Sequence, residues 1–167
     1  GYFSPRDNKW NEASNTTTFF FSEGWVNLMY EYAITNIFAP WIQLKNINMS
    51  GENPNKEMYA IAQISKIMGL HRSTDKFGPI PYKQVGNGSF TVEYDSQESV
   101  YRSFFEELDE AVTVLYDFYM KANNTVPMAS DVVYEGDVTK WIRLANSLML
   151  RLAIRVRYAD EVLARTY

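Results

Sequence analysis

The sequence predicts an all-α protein in which antiparallel pairs of long helices stack into a superhelical array with long aromatic-rich loops. Three observations lead there. Apolar residues recur at spacings of three and four along several segments. Helix-start signals stand immediately ahead of three of them: Asn53-Pro54, Asp95-Ser96-Gln97-Glu98 and Asp137. The segments alternate with loops long enough to reverse the chain, as helix pairs require.

Residues 1–24 have no helical period and are expected to form an irregular arm; residues 25–167 are the helical-repeat region. Ser22 is a candidate N-cap for a first helix carrying Trp25, Leu28, Met29, Tyr32, Ala33, Asn36 and Ile37 at helical spacing. It is expected to reach about Ile47, kinked or interrupted at Pro40. Asn48 to Asn55 reads as a loop. Asn53 then caps, and Pro54 opens, a helix to about Arg72. Its stripe of Met58, Ile61, Ala62, Ser65 and Met68 is widened by Ile64 and Ile67, so it should pack on two sides. Ser73 to Tyr94 is an ordered connection rich in proline and aromatics. Asp95 and Glu98 read as a capping box. The next helix has Val100, Phe104, Leu108, Ala111, Leu115 and Phe118 on one face and Glu106, Glu107, Asp109 and Glu110 on another, a solvated acidic run. After a loop from Asn123 to Gly136, Asp137 caps a helix with Trp141, Leu144, Ala145, Leu148 and Leu152 in line. Asp160 caps a last partial helix. The architecture is tetratricopeptide-like, although the strict consensus of that repeat is absent.

Composition narrows the function. The chain is 46% hydrophobic and 22% charged, as in globular proteins, with a net charge of -4. No Lys/Arg cluster offers the basic patch that nucleic acid needs, and an acidic surface does not adhere to anionic lipid. No apolar run has the length of a membrane helix, and no signal peptide opens the chain. Without cysteine there are no disulfides, thiolate metal sites or cysteine nucleophile in these residues. Aromatic residues make up 16%, enough both to fill a core and to present stacking surfaces.

No catalytic constellation emerges, and neither a cofactor nor a metal is expected. His71 is the single histidine and has no nucleophile elbow near it. His71 and Asp75 are one turn apart, but no further ligands cluster with them. Gly86-Asn87-Gly88 reads as a turn rather than a phosphate cradle. The sequons at Asn15, Asn48, Asn87 and Asn123 would suggest glycosylation in a eukaryotic secretory protein; in a bacterial one they would be chance matches in Asn-rich loops.

Three blocks carry a resemblance. The first is Trp25 to Asn36. The second runs from Ala60-Ile61-Ala62-Gln63-Ile64 to Thr74-Asp75-Lys76-Phe77-Gly78-Pro79-Ile80-Pro81-Tyr82. The third comprises Tyr94 to Tyr101, Leu108-Asp109-Glu110-Ala111, Asp131, Tyr134, Gly136-Asp137, Lys140-Trp141 and Ala145 to Arg155. Over roughly Trp25 to Arg157 the chain resembles the SusD/RagB outer-membrane lipoproteins of Bacteroidota, particularly the second large SusD-like branch.

The resemblance implies a lipid-anchored protein of the outer-membrane surface. It would capture oligosaccharide, or peptide, and pass it to a SusC-type TonB-dependent transporter without doing chemistry. The family's signal and lipobox cysteine are absent here, so any membrane attachment is through an anchor outside this chain, which is expected to be an internal piece of a longer protein. By the same analogy, loop aromatics contact the ligand, and Trp10, Tyr82, Phe90 and Tyr94 are the candidates. Asp75, Phe77, Gly78 and Pro81 are expected to be scaffold: Asp75 accepting from loop amides, Phe77 an anchor, Gly78 in an unusual conformation, Pro81 stiffening the exit. Trp141 is expected in the core and Asn146 as a buried amide. Arg151 and Arg155 are expected to make salt bridges with the acidic helix or with Asp131 or Asp137.

Overall fold

A computed structural model describes residues 23–50, 54–121 and 124–167. The expected arm with Trp10 and the cap Ser22 lies outside these, as do the side chains of Trp25 and Met29. Six α-helices follow in order: α1 Glu23–Ala33, α2 Ala39–Ser50, α3 Lys56–Phe77, α4 Gln97–Met120, α5 Val138–Val156 and α6 Glu161–Thr166. Among the described residues there are only isolated β-bridges, and the all-α expectation holds.

A π-helical turn, Ile34–Phe38, joins α1 to α2. The expected break at Pro40 is thus displaced toward the N-terminus. Pro40 has no N–H and its ring crowds the carbonyl four residues back, at Asn36; a widened turn there absorbs both effects. Helix α2 continues to Ser50, past the loop expected from Asn48. Asn48 is buried: its Nδ2 donates to Leu44 O (2.8 Å), and its Oδ1 accepts from Asn55 N (2.8 Å). A side chain read as loop material is the clasp between α2 and α3.

The N-cap of α3 is Asn55, not Asn53: its Oδ1 accepts from Met58 N at 2.8 Å. The helix runs to Phe77, five residues beyond the expected end. Asp75, Lys76 and Phe77 therefore lie on its last turn rather than in the loop. Ser96, not Asp95, caps α4 by accepting from Ser99 N (3.2 Å), and Glu98 pairs with Arg102 at 3.1 Å instead of reaching back. Asp137 and Asp160 cap α5 and α6 as expected, accepting from Thr139 N and Leu163 N at 2.9 Å each.

Helix α3 is central. It touches α1, α2, α4 and α5, which is why its apolar surface is broad. Ile61, Ile64, Ile67 and Leu70 meet Val100, Phe104, Leu108 and Leu115 of α4 in the core. Helix α5 adds Trp141, Ala145, Leu148 and Leu152 from one stripe. Each buried Val, Leu, Ile or Phe among these contributes roughly 1.5–3 kcal/mol on burial. Met68, expected in the α3 stripe, is exposed.

The α4–α5 connection is organised by a buried carboxylate. Asp131 accepts from Val133 N (2.9 Å), Tyr134 N (3.0 Å) and Gly136 N (2.9 Å), and from Trp141 Nε1 at 2.6 Å. Gly136 has φ +79°, and a Cβ there would strike the Val126 carbonyl. Tyr134 packs edge-on to Trp141, at 5.2 Å between ring centroids. Asp131 is thus committed to the loop and Trp141, leaving no role with Arg151 or Arg155. Asn146 is exposed, since its place on α5 falls between the Ala145 and Leu148 stripe and solvent. The buried-amide expectation for it fails.

Candidate functional site

The connection from Gly78 to Ser96 has a fixed base and an open tip. Gly78 leaves α3 at φ +75°; its N–H donates to Thr74 O (2.8 Å), and Thr74 Oγ1 donates to Gly78 O (2.6 Å). Gln97 Nε2 donates to the same Thr74 carbonyl at 2.8 Å. Ile80 and Asp95 exchange backbone hydrogen bonds of 3.2 and 2.9 Å, closing the loop at its neck. Asp95 Oδ2 then accepts from Tyr82 N (3.1 Å) and Lys83 N (2.9 Å). Neither acid takes its expected role. Asp95, read as a cap, braces the loop amides, while Asp75 ties helices together.

Pro81 and Tyr82 plug the base into the core. Tyr82 is only 4% exposed, so its candidacy as a ligand contact fails. Its hydroxyl donates to Glu107 Oε2 at 2.6 Å, and Lys66 Nζ sits 2.7 Å from the same oxygen. Lys66 also lies 3.9 Å from the Trp41 ring centroid and 4.7 Å from that of Tyr82. Burial of the ammonium dominates over attraction to Glu107 and pushes Lys66 down to about 8. Burial and the Glu107 carboxylate push the Tyr82 hydroxyl well up. Trp41 Nε1 donates to Gln63 Oε1 at 2.5 Å, so this polar cluster is paired throughout.

Two rings of the loop are exposed, Phe90 toward its tip and Tyr94 beside the Ile80–Asp95 neck. Phe90 is fully exposed (107%) and Tyr94 is 64% exposed, in the places expected of ligand contacts. Tyr30 of α1 lies beside Tyr94, its hydroxyl donating to that of Tyr94 at 3.4 Å. Burial and the Tyr94 hydroxyl push Tyr30 up, so it stays a neutral donor. Phe77 holds Tyr30 from behind, edge-on at 5.8 Å. Phe77 is thus half-buried scaffold, as expected, but as a support for Tyr30. Sequence reading missed Tyr30, because nothing in helical spacing reveals that α1 runs beside the loop.

Beyond the loop, Asp75 accepts from Tyr101 Oη (2.5 Å) and forms an ion pair with Arg155 (2.9 Å). Arg155 therefore pairs with α3, not with the acidic helix, Asp131 or Asp137. Arg151 is exposed and has no ion-pair partner among the described residues. The described residues contain no cluster of three or more metal-ligating side chains and no helix long and apolar enough to cross a membrane.

Comparison with known proteins follows the same lines. The family model for SusD-like proteins, the SusD and RagB outer membrane lipoproteins, matches residues 1–167. A chitin-binding SusD homologue from Flavobacterium johnsoniae is 34% identical with a TM-score of 0.81, over 87% of this chain and 30% of that one. A SusD homologue from Bacteroides vulgatus is 31% identical with a TM-score of 0.80, over 90% and 30%. One from Bacteroides uniformis is 40% identical with a TM-score of 0.68, over 80% and 26%. No curated protein matches the chain. The chain thus spans under a third of the length of these solved homologues. In fold and across its whole length, the chain belongs to the SusD-like family of SusD and RagB outer membrane lipoproteins.

Proposed function

We propose that the protein is a glycan-binding lipoprotein of the outer-membrane surface. It captures oligosaccharide at exposed aromatic side chains and delivers it to a SusC-type TonB-dependent transporter, without chemistry of its own. Phe90 and Tyr94 carry the reading: two exposed rings on a loop whose base is locked by Asp95 and Tyr82. Aromatic faces stack on the C–H faces of sugars, and a braced loop loses little entropy when it does so. Tyr30 adds a hydroxyl for sugar oxygens. Family membership and the chitin-binding description of the Flavobacterium johnsoniae homologue support a glycan cargo.

Calorimetric titration of the full-length protein with chito-oligosaccharides, and with a wider glycan panel, tests this. Saturable binding that weakens in Phe90→Ala and Tyr94→Ala supports it. If no glycan binds, or if the bound glycan is hydrolysed, the reading fails.

A further inference from the structure

Tyr94 and Phe90 differ in how the chain holds them. The side-chain bonds around Phe90 stay within the tip: Ser89 N donates to Asn87 Oδ1 at 3.0 Å, and Ser89 Oγ donates to the Thr91 carbonyl at 2.9 Å. Tyr94 is held from both ends. Its ring hydroxyl accepts from Tyr30 at 3.4 Å, and Phe77, at the end of α3, backs Tyr30 edge-on. That hydroxyl bond is long and therefore weak. The firmer hold is on the backbone, where the next residue is Asp95.

Asp95 does more than close the neck with Ile80. One carboxylate oxygen, Oδ2, accepts from both Tyr82 N (3.1 Å) and Lys83 N (2.9 Å). Ile80, Tyr82 and Lys83 of the outgoing limb are thus all tied to the residue that follows Tyr94 in the returning limb. Hydrogen bonds to an ionised oxygen are stronger than neutral ones. The outgoing limb is itself stiff: Pro81 fixes one backbone torsion, and Tyr82 is locked in the core with its hydroxyl on Glu107. The Asp95 side chain therefore carries the rigidity of the core to the backbone of Tyr94. These are bonds inside the chain.

We propose that Asp95 is a positioning residue of the glycan site, which sets the Tyr94 ring before the ligand arrives. The proposal rests on the glycan-binding reading above. Two measurements on the full-length protein test it. The first needs no ligand: fluorine NMR relaxation of a fluorotyrosine placed at position 94. Asp95→Ala is expected to increase the motion of that ring. Asp95→Asn, whose amide oxygen can accept both N–H groups, is expected to leave it unchanged. The second is calorimetric titration with chito-oligosaccharide, or with whichever glycan of the wider panel the wild type binds. Asp95→Ala is expected to weaken binding about three- to tenfold, because the ring must then be ordered on binding. Asp95→Asn stays within about twofold of wild type. The Asp95→Ala loss persists in a Phe90→Ala background and disappears in a Tyr94→Ala background. Circular dichroism checks each fold, and Asp95→Ser, too short to reach both amides, stands in if Asp95→Ala does not fold. Unchanged ring motion in Asp95→Ala overturns the proposal, as does a loss that is undiminished in the Tyr94→Ala background. Binding weakened by Phe90→Ala and Tyr94→Ala but not by Asp95→Ala overturns this proposal alone. Absence of glycan binding by the wild type overturns it together with the glycan-binding reading.

Discussion

Arg155 Nη2 lies 2.9 Å from Asp75 Oδ2, joining α5 to the last turn of α3 across 80 positions of sequence. Tyr101 of α4 donates to the other Asp75 oxygen at 2.5 Å, so one carboxylate links three helices. The two partners are unequal. Arg155 is half exposed, and solvent screening holds the value of its pair to below about 1 kcal/mol. Asp75 is more buried, and its loss leaves the Tyr101 hydroxyl proton without its acceptor, with only the bond from Arg155 Nε (3.2 Å) remaining. Asp75→Ala is therefore expected to destabilise by about 1–2 kcal/mol, and Arg155→Ala by less than about 1. Urea denaturation measures both; equal losses would show that the ion pair, rather than Tyr101, is what Asp75 secures.

Tyr82 and Phe90 separate stability from binding. Tyr82→Phe removes a 2.6 Å hydrogen bond to Glu107 while keeping the ring that packs edge-on against Phe104 at 5.2 Å. The expected cost is about 1–2 kcal/mol of stability, with glycan affinity unchanged. Phe90→Ala buries nothing less on folding and is expected within about 0.5 kcal/mol of wild type, with affinity reduced. Paired thermal melts and titrations check this. A stability loss in Phe90→Ala equal to that in Tyr82→Phe would mean that the tip is scaffold.

The contrast shows what was legible in the sequence. Helical periods gave the helices, because burial on one face imposes a spacing that the sequence must keep. Asp137 and Asp160 were legible as caps because capping is a local hydrogen bond between near neighbours. Asp95 and Asp75 were misread because their partners are remote: Asp95 serves Tyr82 and Lys83, and Asp75 serves Tyr101 and Arg155. Tyr82 and Phe90 are both aromatic residues in the same connection, and composition cannot tell a ring that plugs the core from one left in solvent. Lys66 carried a faint signal, standing between Ala62 and Leu70 on the apolar side of α3, but its Glu107 partner lies 41 residues away.

Asp131 should dominate the α4–α5 loop. Burial alone would raise its carboxyl; hydrogen bonds from Tyr134 N, Trp141 Nε1, Gly136 N and Val133 N outweigh burial and hold it below its ordinary value. Asp131→Ala strands these donors and is expected to cost about 2–4 kcal/mol. Because the folded value lies below the unfolded one, Asp131 contributes fully above the ordinary carboxylate range. That contribution is lost as pH falls through the folded value. Acid titration followed by Trp fluorescence should therefore show a stability gap between wild type and Asp131→Ala that is constant near neutrality and closes at the acid end. A gap that persists unchanged in acid would locate the effect in packing instead.

Lys66 gives a dependence of the same sign in the alkaline range. An unfolded lysine keeps its proton to 10.5, whereas burial brings the folded Lys66 down to about 8. Between those values the unfolded state binds more protons, so stability rises with pH. Above about 10 the buried tyrosines reverse the trend: Tyr59 and Tyr101 are pushed up to about 12 and Tyr82 is raised too, so the unfolded chain loses protons first. The window for Lys66 is thus pH 8 to 10. Wild type is expected to gain on the order of 1–2 kcal/mol relative to Lys66→Met between pH 8 and about pH 9.5. Lys66→Met keeps the side chain's length against Trp41 and Tyr82 but removes the titrating group, leaving Glu107 bonded to Tyr82 alone. Urea midpoints for both proteins across this range measure the difference; parallel curves would show that the ammonium at position 66 is not desolvated by folding.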